Sequence, residues 1–192
     1  MVLRANHRCP NSEVVYICAV QATDFWKAVT RDRTDMLGEV LAFLRAHDVR
    51  FCAIGGVAVN AYVEPVVTLD LDLVLAAPDL ARIEPILSED YQVQRFPHSV
   101  NLSKTGSDLR VQFQTDPRYA PFVDRAARAT VLGVELPVAR VDDVLQGKVW
   151  AALDPERRGS KRQKDLADIA RILESQPALR ANVPAVLLDR LV

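Results

Sequence analysis

Hydrophobic residues along the chain follow two spacings, one typical of helices and one typical of strands. Leucine and valine residues three and four apart predict an amphipathic helix over residues 34–47, with Thr34 or Asp35 as its N-terminal cap. An apolar run at 51–54 predicts a short strand after it. The same patterns predict helices over 79–88, 142–153 and 160–175, a last helix opening at Pro184, and strands over 91–95, 99–103, 109–114 and near 130–139. This order argues for a small mixed sheet flanked by helices, an α/β (α+β) fold with a C-terminal helical region.

Residues 67–75 carry the clearest strand pattern in the chain. Leucine and valine residues alternate through the segment and form one apolar face, so Thr68, Asp70 and Asp72 project from the opposite face. Two aspartates at this spacing lie about 6 to 7 Å apart along a strand. A carboxylate in apolar surroundings is costly without a partner, and a metal ion is one partner that suits two of them.

A glycine pair precedes the two aspartates. Gly55 and Gly56 follow the strand at 51–54 and open a short helix, which Pro65 ends. Glycines ahead of a helix let backbone amides approach a phosphate closely, and Mg²⁺ takes a couple of carboxylates together with substrate phosphate. Either feature alone is common, as a turn or as a solvated polar face. Together they predict a metal–triphosphate site for phosphoryl or nucleotidyl transfer.

These residues carry a resemblance to a known superfamily. The stretch "IGGVAVNAY", followed by "TLDLDLVL", resembles the nucleotidyltransferases that include DNA polymerase beta, antibiotic nucleotidyltransferases and the AbiEii toxins. Further on, "VLQGKVWAAL" and "KRQKDLADIARIL" resemble the lysine motif and the R-x-x-KD-x-x-D helix of the AbiEii-like branch. The resemblance covers roughly residues 35–175. It implies a nucleotidyltransferase fold and a Mg²⁺-dependent transfer of a nucleoside monophosphate from an NTP to a hydroxyl group.

The resemblance also implies roles for individual residues. It assigns the triphosphate to Gly55 and Gly56 with Thr68, the metal ion to Asp70 and Asp72, a nucleotide phosphate to Lys148, and a place near the nucleotide or the role of base to Asp165.

The last two roles have structural alternatives. Lys148 would equally suit the exposed surface of a helix. Asp165 is four residues after Lys161, and Asp168 is four residues after Lys164, so both acids could form ordinary ion pairs along an exposed helix.

One position departs from the superfamily pattern. Many members place a third carboxylate on a later strand, and the best equivalent here, "LRVQFQ", carries Gln112 instead. Glutamine neither accepts a proton in that role nor supplies negative charge. Asp108, Asp116 or Asp165 would have to substitute. Otherwise the chain is a catalytically lapsed member that binds nucleotide or a partner protein without turnover.

Composition narrows the remaining choices. With 192 residues, 49% of them hydrophobic and 26% charged, the chain is long enough for one domain with a substantial core. A formal net charge of −1 excludes a globally basic nucleic-acid binder. The stretch "ERRGSKRQK" at 156–164 is the local exception, either a solvated surface or a contact for phosphate or an RNA backbone. The acceptor stays open among an RNA such as tRNA, a protein and a small alcohol, and an antitoxin is a possible partner.

The compartment and the chain organisation complete the expectations. Cys9, Cys18 and Cys52 are odd in number and widely spaced, which is typical of reduced thiols in a cytoplasmic protein. No apolar run reaches the roughly 18 residues of a membrane span. The sequence predicts a weakly structured leader at 1–22, a nucleotidyltransferase core at 23–140 and a C-terminal helical region at 141–192.

Overall fold

The computed structural model describes residue 24 and residues 26–191, and the predicted leader at 1–22 lies outside the described residues. The strands are β1 (Phe51–Ile54), β2 (Asp70–Leu75), β3 (Gln92–Phe96), β4 (Ser99–Ser103), β5 (Arg110–Gln114), β6 (Ala127–Val131) and β7 (Val134–Val138). The helices are α1 (Met36–Ala46), α2 (Gly55–Val59), α3 (Ala77–Asp90), α4 (Ala120–Arg125), α5 (Val141–Leu153), α6 (Gly159–Ser175) and α7 (Ala185–Leu188), with 3-10 turns at Pro117–Tyr119 and Pro177–Asn182.

All seven strands join one mixed sheet in the order β3-β4-β5-β2-β1-β7-β6. The acidic strand β2 lies near its centre, antiparallel to β1 and parallel to β5. Along β2, Leu71 and Leu73 are fully buried while Asp70 and Asp72 are partly exposed on the other face. The predicted alternation and the predicted mixed sheet flanked by helices are both confirmed.

The acidic strand begins three residues later than predicted. Pairing with β5 starts at Asp70, and the preceding segment is held as a loop by Asn60, whose side-chain amide bonds both the N–H and the carbonyl of Val66 at 3.0 and 2.7 Å. Val67 and Leu69 are consequently 51% and 45% exposed. Alternating hydrophobicity continues through this loop, but a pattern in one strand cannot show where its neighbours end.

Two other local predictions need correction. Helix α1 starts after Asp35, yet the side chain of Asp35 does not cap it. The capping acceptor is the buried carboxylate of Asp32, which receives the backbone N–H groups of Met36 and Leu37 at 3.0 and 3.3 Å. The β segment predicted near 130–139 is a hairpin of β6 and β7, which turns at Gly133 with φ of 79°.

The C-terminal helices complete the surroundings of the acidic strand. Helix α5 packs against α6 and against the short helix α2, and α6 also reaches α2. None of the helices in the described ranges is both long and apolar enough to cross a membrane. The boundary predicted at residues 140 and 141, like the cytoplasmic location, stays a prediction.

Candidate active site

A cleft of about 630 Å³ between the sheet and helices α5 and α6 brings together the residues that the sequence singled out. It is lined by Gly55, Gly56, Thr68, Asp70, Asp72, Lys148 and Asp165, and also by Gln112. Its basic side chains are Arg110, Arg118, Arg157, Arg158, Lys161 and Lys164. A larger cavity of about 940 Å³ beside α1 and the β6–β7 hairpin contains none of the predicted site residues.

The first glycine of the pair makes room for a carboxylate. Antiparallel pairing sets Ile54 opposite Asp72, so the residue after Ile54 lies against the Asp72 side chain. Gly55 has φ of +64°, and a Cβ placed on it would lie 2.0 Å from Oδ2 of Asp72. No residue with a side chain satisfies both constraints. Gly55 is therefore required by the position of Asp72, before any phosphate is considered.

The second glycine lies beside a lysine that sequence reasoning did not assign. A Cβ on Gly56 would lie 3.3 Å from Oγ1 of Thr68 and 3.8 Å from Nζ of Lys164. Helix α2 has only five residues and no side-chain cap, so Lys164 supplies more positive charge here than the short helix does. The sequence did offer a signal for Lys164. It lies three residues after Lys161, so both lysines are on the same side of α6.

The two aspartates of β2 differ in their surroundings. Arg110 donates from Nε and Nη2 to Oδ1 of Asp70 at 2.9 and 2.6 Å, and Nζ of Lys161 lies 3.7 Å from Oδ2. Within the described part of the chain, Asp72 has neither a hydrogen bond nor an ion pair. Burial raises the pKa of Asp72 above its usual value, and the positive charge of Lys148 partly opposes this. Asp72 is thus a partly buried carboxylate that lacks a cationic partner.

Two amide side chains follow Asp72 across the sheet. Gln112 of β5 lies directly opposite Asp72, and Asn101 of β4 lies opposite Gln112. Asp116 also lines the cleft, but Arg118 donates to both of its oxygens and lowers its pKa, which makes it a weak base. Asp108 is exposed and lies 3.6 Å from Arg31. Neither acid takes the position opposite Asp72.

The donor set fits a cation that also binds substrate oxygens. Among the described residues, no group of three or more histidine, cysteine, aspartate or glutamate side chains is placed to hold a metal ion. Asp70 and Asp72 offer two carboxylates on one face, and Asp72 is unpartnered. Because Mg²⁺ commonly takes one or two carboxylates plus phosphates and water, the pair would hold the ion together with a bound triphosphate.

Lys148 is buried in an ion cluster and not on a helix surface. Its Nζ lies 3.1 Å from Asp165 and 2.7 Å from Asp168, and the side chains of the three residues are 10%, 2% and 4% exposed. Arg157 pairs with Asp165 at 2.7 Å and Arg171 with Asp168 at 2.9 Å. Burial alone would lower the pKa of Lys148, but the two carboxylates outweigh it and raise the pKa, so the ammonium stays charged.

The alternative ion pairs along α6 are therefore wrong. Asp165 and Asp168 turn inward to Lys148, while Lys161 faces Asp70 and Lys164 lies near Gly56. Both oxygens of Asp165 are engaged, one by Lys148 and the other by Arg157. Because both oxygens are already occupied, this geometry favours a supporting role, and the catalytic role of Asp165 stays a prediction.

Comparison with known proteins gives a match to one family profile and matches to several solved structures. The sequence profile of the family described as "Nucleotidyl transferase AbiEii toxin, Type IV TA system" matches residues 46–191. No curated protein matches the chain significantly.

Solved structures with a similar fold include two antibiotic-modifying proteins. The lincomycin-bound lincosamide antibiotic adenylyltransferase LnuA has 13% sequence identity and a TM-score of 0.51, over 71% of this chain and 95% of that one. ANT(2")-Ia in complex with adenylyl-2"-tobramycin has 14% identity and a TM-score of 0.56, over 82% and 97%. An antigenic nucleotidyltransferase-like protein from Paracoccidioides brasiliensis has 18% identity and a TM-score of 0.50, over 88% and 86%. At these identities the likeness shows the fold alone, and the predicted nucleotidyltransferase fold is confirmed.

Replacing Gly55 by alanine tests the close approach to Asp72. We expect Gly55→Ala to lower the free energy of unfolding by more than about 1 to 2 kcal/mol, because the backbone penalty of a positive φ adds to the clash with the carboxylate. The matched control is Gly159→Ala, since nothing lies within 4 Å of a Cβ at that position. The control should be neutral or slightly stabilising in urea titrations. Equal stability of the two variants would contradict the geometry.

Replacing Lys148 by methionine tests the buried cluster. Methionine keeps much of the apolar stem but leaves two buried carboxylates short of one cation, so we expect a loss of about 3 kcal/mol, at the low end for a broken buried ion pair because Arg157 and Arg171 remain. The control Lys161→Met removes a half-exposed lysine of the same cleft and should change the free energy of unfolding by less than about 0.5 kcal/mol. If Lys148→Met is as stable as the control, the cluster does not hold α5 and α6 together.

Proposed function

This chain belongs to the AbiEii family of nucleotidyl transferases, and from that premise we propose that it moves a nucleoside monophosphate from an NTP to a hydroxyl group with the help of Mg²⁺. The observation that carries the proposal is the unpartnered carboxylate of Asp72, which lies beside Asp70 and against the glycine turn. Lys161 and Lys164 border the same two features. Acidic metal ligands and cationic phosphate ligands therefore meet in one cleft.

The reaction replaces a phosphoanhydride bond of the NTP by a phosphodiester bond to the acceptor. The acceptor oxygen forms a bond to the α-phosphorus, the bond from that phosphorus to the bridging oxygen breaks, pyrophosphate leaves, and the hydroxyl proton passes to a base or to water. When bound, Mg²⁺ neutralises charge that develops on the α-phosphate and the leaving group.

The chain's own side chains have separable tasks in this scheme. Asp70 and Asp72 hold the cation, and Lys164 with the Gly56 backbone and Thr68 receives the outer phosphates. Arg110 donates to Oδ1 of Asp70 and would share that carboxylate with the cation. Lys148 remains in its buried cluster and supplies positive potential toward Asp72.

The acceptor and the biological partner belong to the proposal as well. The matching family is described as a toxin of a type IV toxin–antitoxin system, so we propose an antitoxin as a partner of this chain. An RNA end such as that of tRNA and a protein hydroxyl suit the proposed chemistry. A small alcohol does too, since structures of similar fold are LnuA with lincomycin and ANT(2")-Ia with adenylylated tobramycin.

Changing both aspartates to asparagine tests the proposed metal site. We expect Asp70→Asn with Asp72→Asn to abolish Mg²⁺-dependent binding of NTP and all transfer, while the fold is kept because mutual repulsion of the two carboxylates is also removed. Calorimetry with ATP, CTP, GTP and UTP, with and without Mg²⁺, measures binding. The control is Asp124→Asn. Asp124 is an exposed residue of α4 outside the cleft, and its carboxylate pairs with Arg50. Metal-dependent NTP binding by the double variant would contradict the assignment of Asp70 and Asp72 as metal ligands.

A second candidate function is nucleotide or partner binding without turnover. The observation that favours it is the amide of Gln112 directly opposite Asp72. If the chain is a lapsed enzyme, Gln112→Asp should create transfer of labelled NTP to cellular RNA or protein, because the new carboxylate completes the acidic set. If the wild type is already active, the same change should leave activity unchanged or reduce it by adding like charge beside Asp72.

The control for this test is Gln114→Asp. It adds the same charge to the same strand and also lines the cleft, but its register partner on β2 is Val74. Gain of activity in both variants would show that charge alone, and not its position opposite Asp72, is responsible. A wild type and both variants that are inert on every acceptor would favour the binding-only function.

A further inference from the structure

One part of the cleft wall is aromatic. The rings of Tyr119, Phe122 and Trp150 form a cluster between α4 and α5, and all three line the cleft. Phe122 and Trp150 are close to parallel, 13° apart with centroids at 5.9 Å. Tyr119 meets each of them edge-on, with centroids at 5.2 Å. None of these rings entered the sequence-based prediction of the site.

The three rings are unequally exposed. Tyr119 and Phe122 are buried at 8% and 3% exposure, while Trp150 is only partly buried. The ring of Tyr119 packs closely against Gly147 of α5, since a Cβ placed on Gly147 would lie 3.1 Å from it. The indole of Trp150 is therefore the ring that a ligand in the cleft can reach, and the other two support it.

A guanidinium group is held over the same indole. Cζ of Arg118 lies 4.9 Å from the centroid of Trp150. Asp116 holds this arginine, accepting its Nε and Nη2 at 2.9 and 2.6 Å and its backbone N–H at 2.9 Å. Indole and guanidinium planes are the two side-chain surfaces on which nucleobases stack. Both are positioned before any ligand binds, which reduces the cost of ordering them on binding.

We propose that the layered pair of Trp150 and the Arg118 guanidinium over it, with Phe122 behind, is the platform on which the base of the NTP stacks. This inference rests on the proposed function, because the phosphate groups of the same molecule are taken to lie at Lys164 and Gly56. Trp150, Gly56 and Lys164 line the same cleft, whose volume of about 630 Å³ is within the range of small-ligand sites. Stacking tolerates any base, so the four NTPs bind with similar affinity and the larger purines bind somewhat more tightly.

The test separates the base from the phosphates. Wild type, Trp150→Leu and Trp150→Phe are titrated with ATP and with inorganic tripolyphosphate, each with Mg²⁺. We expect Trp150→Leu to weaken ATP binding roughly tenfold and to change the affinity for tripolyphosphate by less than about twofold, because only ATP carries a base. Trp150→Phe, which keeps a stacking surface, should retain most of the ATP affinity. Thermal melting checks that each variant is folded. If the leucine variant unfolds, the difference in ATP quenching between wild type and Trp150→Phe keeps the test decisive.

Fluorescence supplies a second readout. The chain has two tryptophans, and the other one, Trp26, is 3% exposed and outside the cleft lining. ATP should quench the emission of the wild type, tripolyphosphate should not, and Trp150→Phe should not respond to either. Quenching by a single-stranded oligonucleotide but not by ATP would show that the platform binds an acceptor, and it would overturn the assignment to the base of the NTP.

The outcomes distinguish this inference from the function on which it rests. If ATP binds with Mg²⁺ but Trp150→Leu leaves its affinity unchanged, or weakens ATP and tripolyphosphate equally, the platform is refuted and the nucleotidyl transfer proposal stands. If the wild type binds neither ATP nor tripolyphosphate in the presence of Mg²⁺, both are refuted.

Discussion

The position of the Asp72 carboxylate against the backbone of Gly55 is the constraint on which the cleft depends. The antiparallel register of β1 and β2 brings the two residues together, and Oδ2 of Asp72 occupies the space that a side chain on Gly55 would take. Because the same glycine turns the chain into α2 with a positive φ, the helix start and the carboxylate share one point of contact. Burial raises the pKa of the Asp72 carboxyl because its charged form is poorly solvated there, and a bound cation would remove that cost.

The buried cluster around Lys148 is the second element of the electrostatics. Three cationic side chains surround two carboxylates, so the cluster joins α5 to α6 and still leaves positive potential toward Asp72. Buried ion pairs add little net stability, because desolvation offsets much of their attraction. Their value here is positional, since a helix that slipped by one residue would leave an uncompensated charge inside the protein. Lys161 and Lys164 on the exposed side of α6 are thereby held toward the cleft.

The fold could be predicted from sequence wherever a pattern was local. Alternating hydrophobicity correctly predicted β5 and the second half of the predicted strand at 67–75. Helical spacing predicted the ends of α1, α5 and α6 to within a few residues. The errors arose where a hydrogen bond from a side chain to the backbone decides the outcome. Asn60 bonds Val66 and holds the loop ahead of β2, and Asp32 caps α1 from outside the helix. Neither of these effects leaves a mark in the hydrophobic pattern.

The sequence by itself determined the chemistry of the cleft floor. The glycine pair and the two aspartates two residues apart are local, and strand alternation alone puts both carboxylates on one face. Only the tertiary structure decided which groups face them. Register sets Gln112 opposite Asp72, helix packing turns Asp165 and Asp168 onto Lys148, and the contact of α4 with α5 gathers the aromatic wall around Trp150. The physical reason is that spacing along one element fixes the direction of a side chain, whereas its partners come from elements far away in sequence.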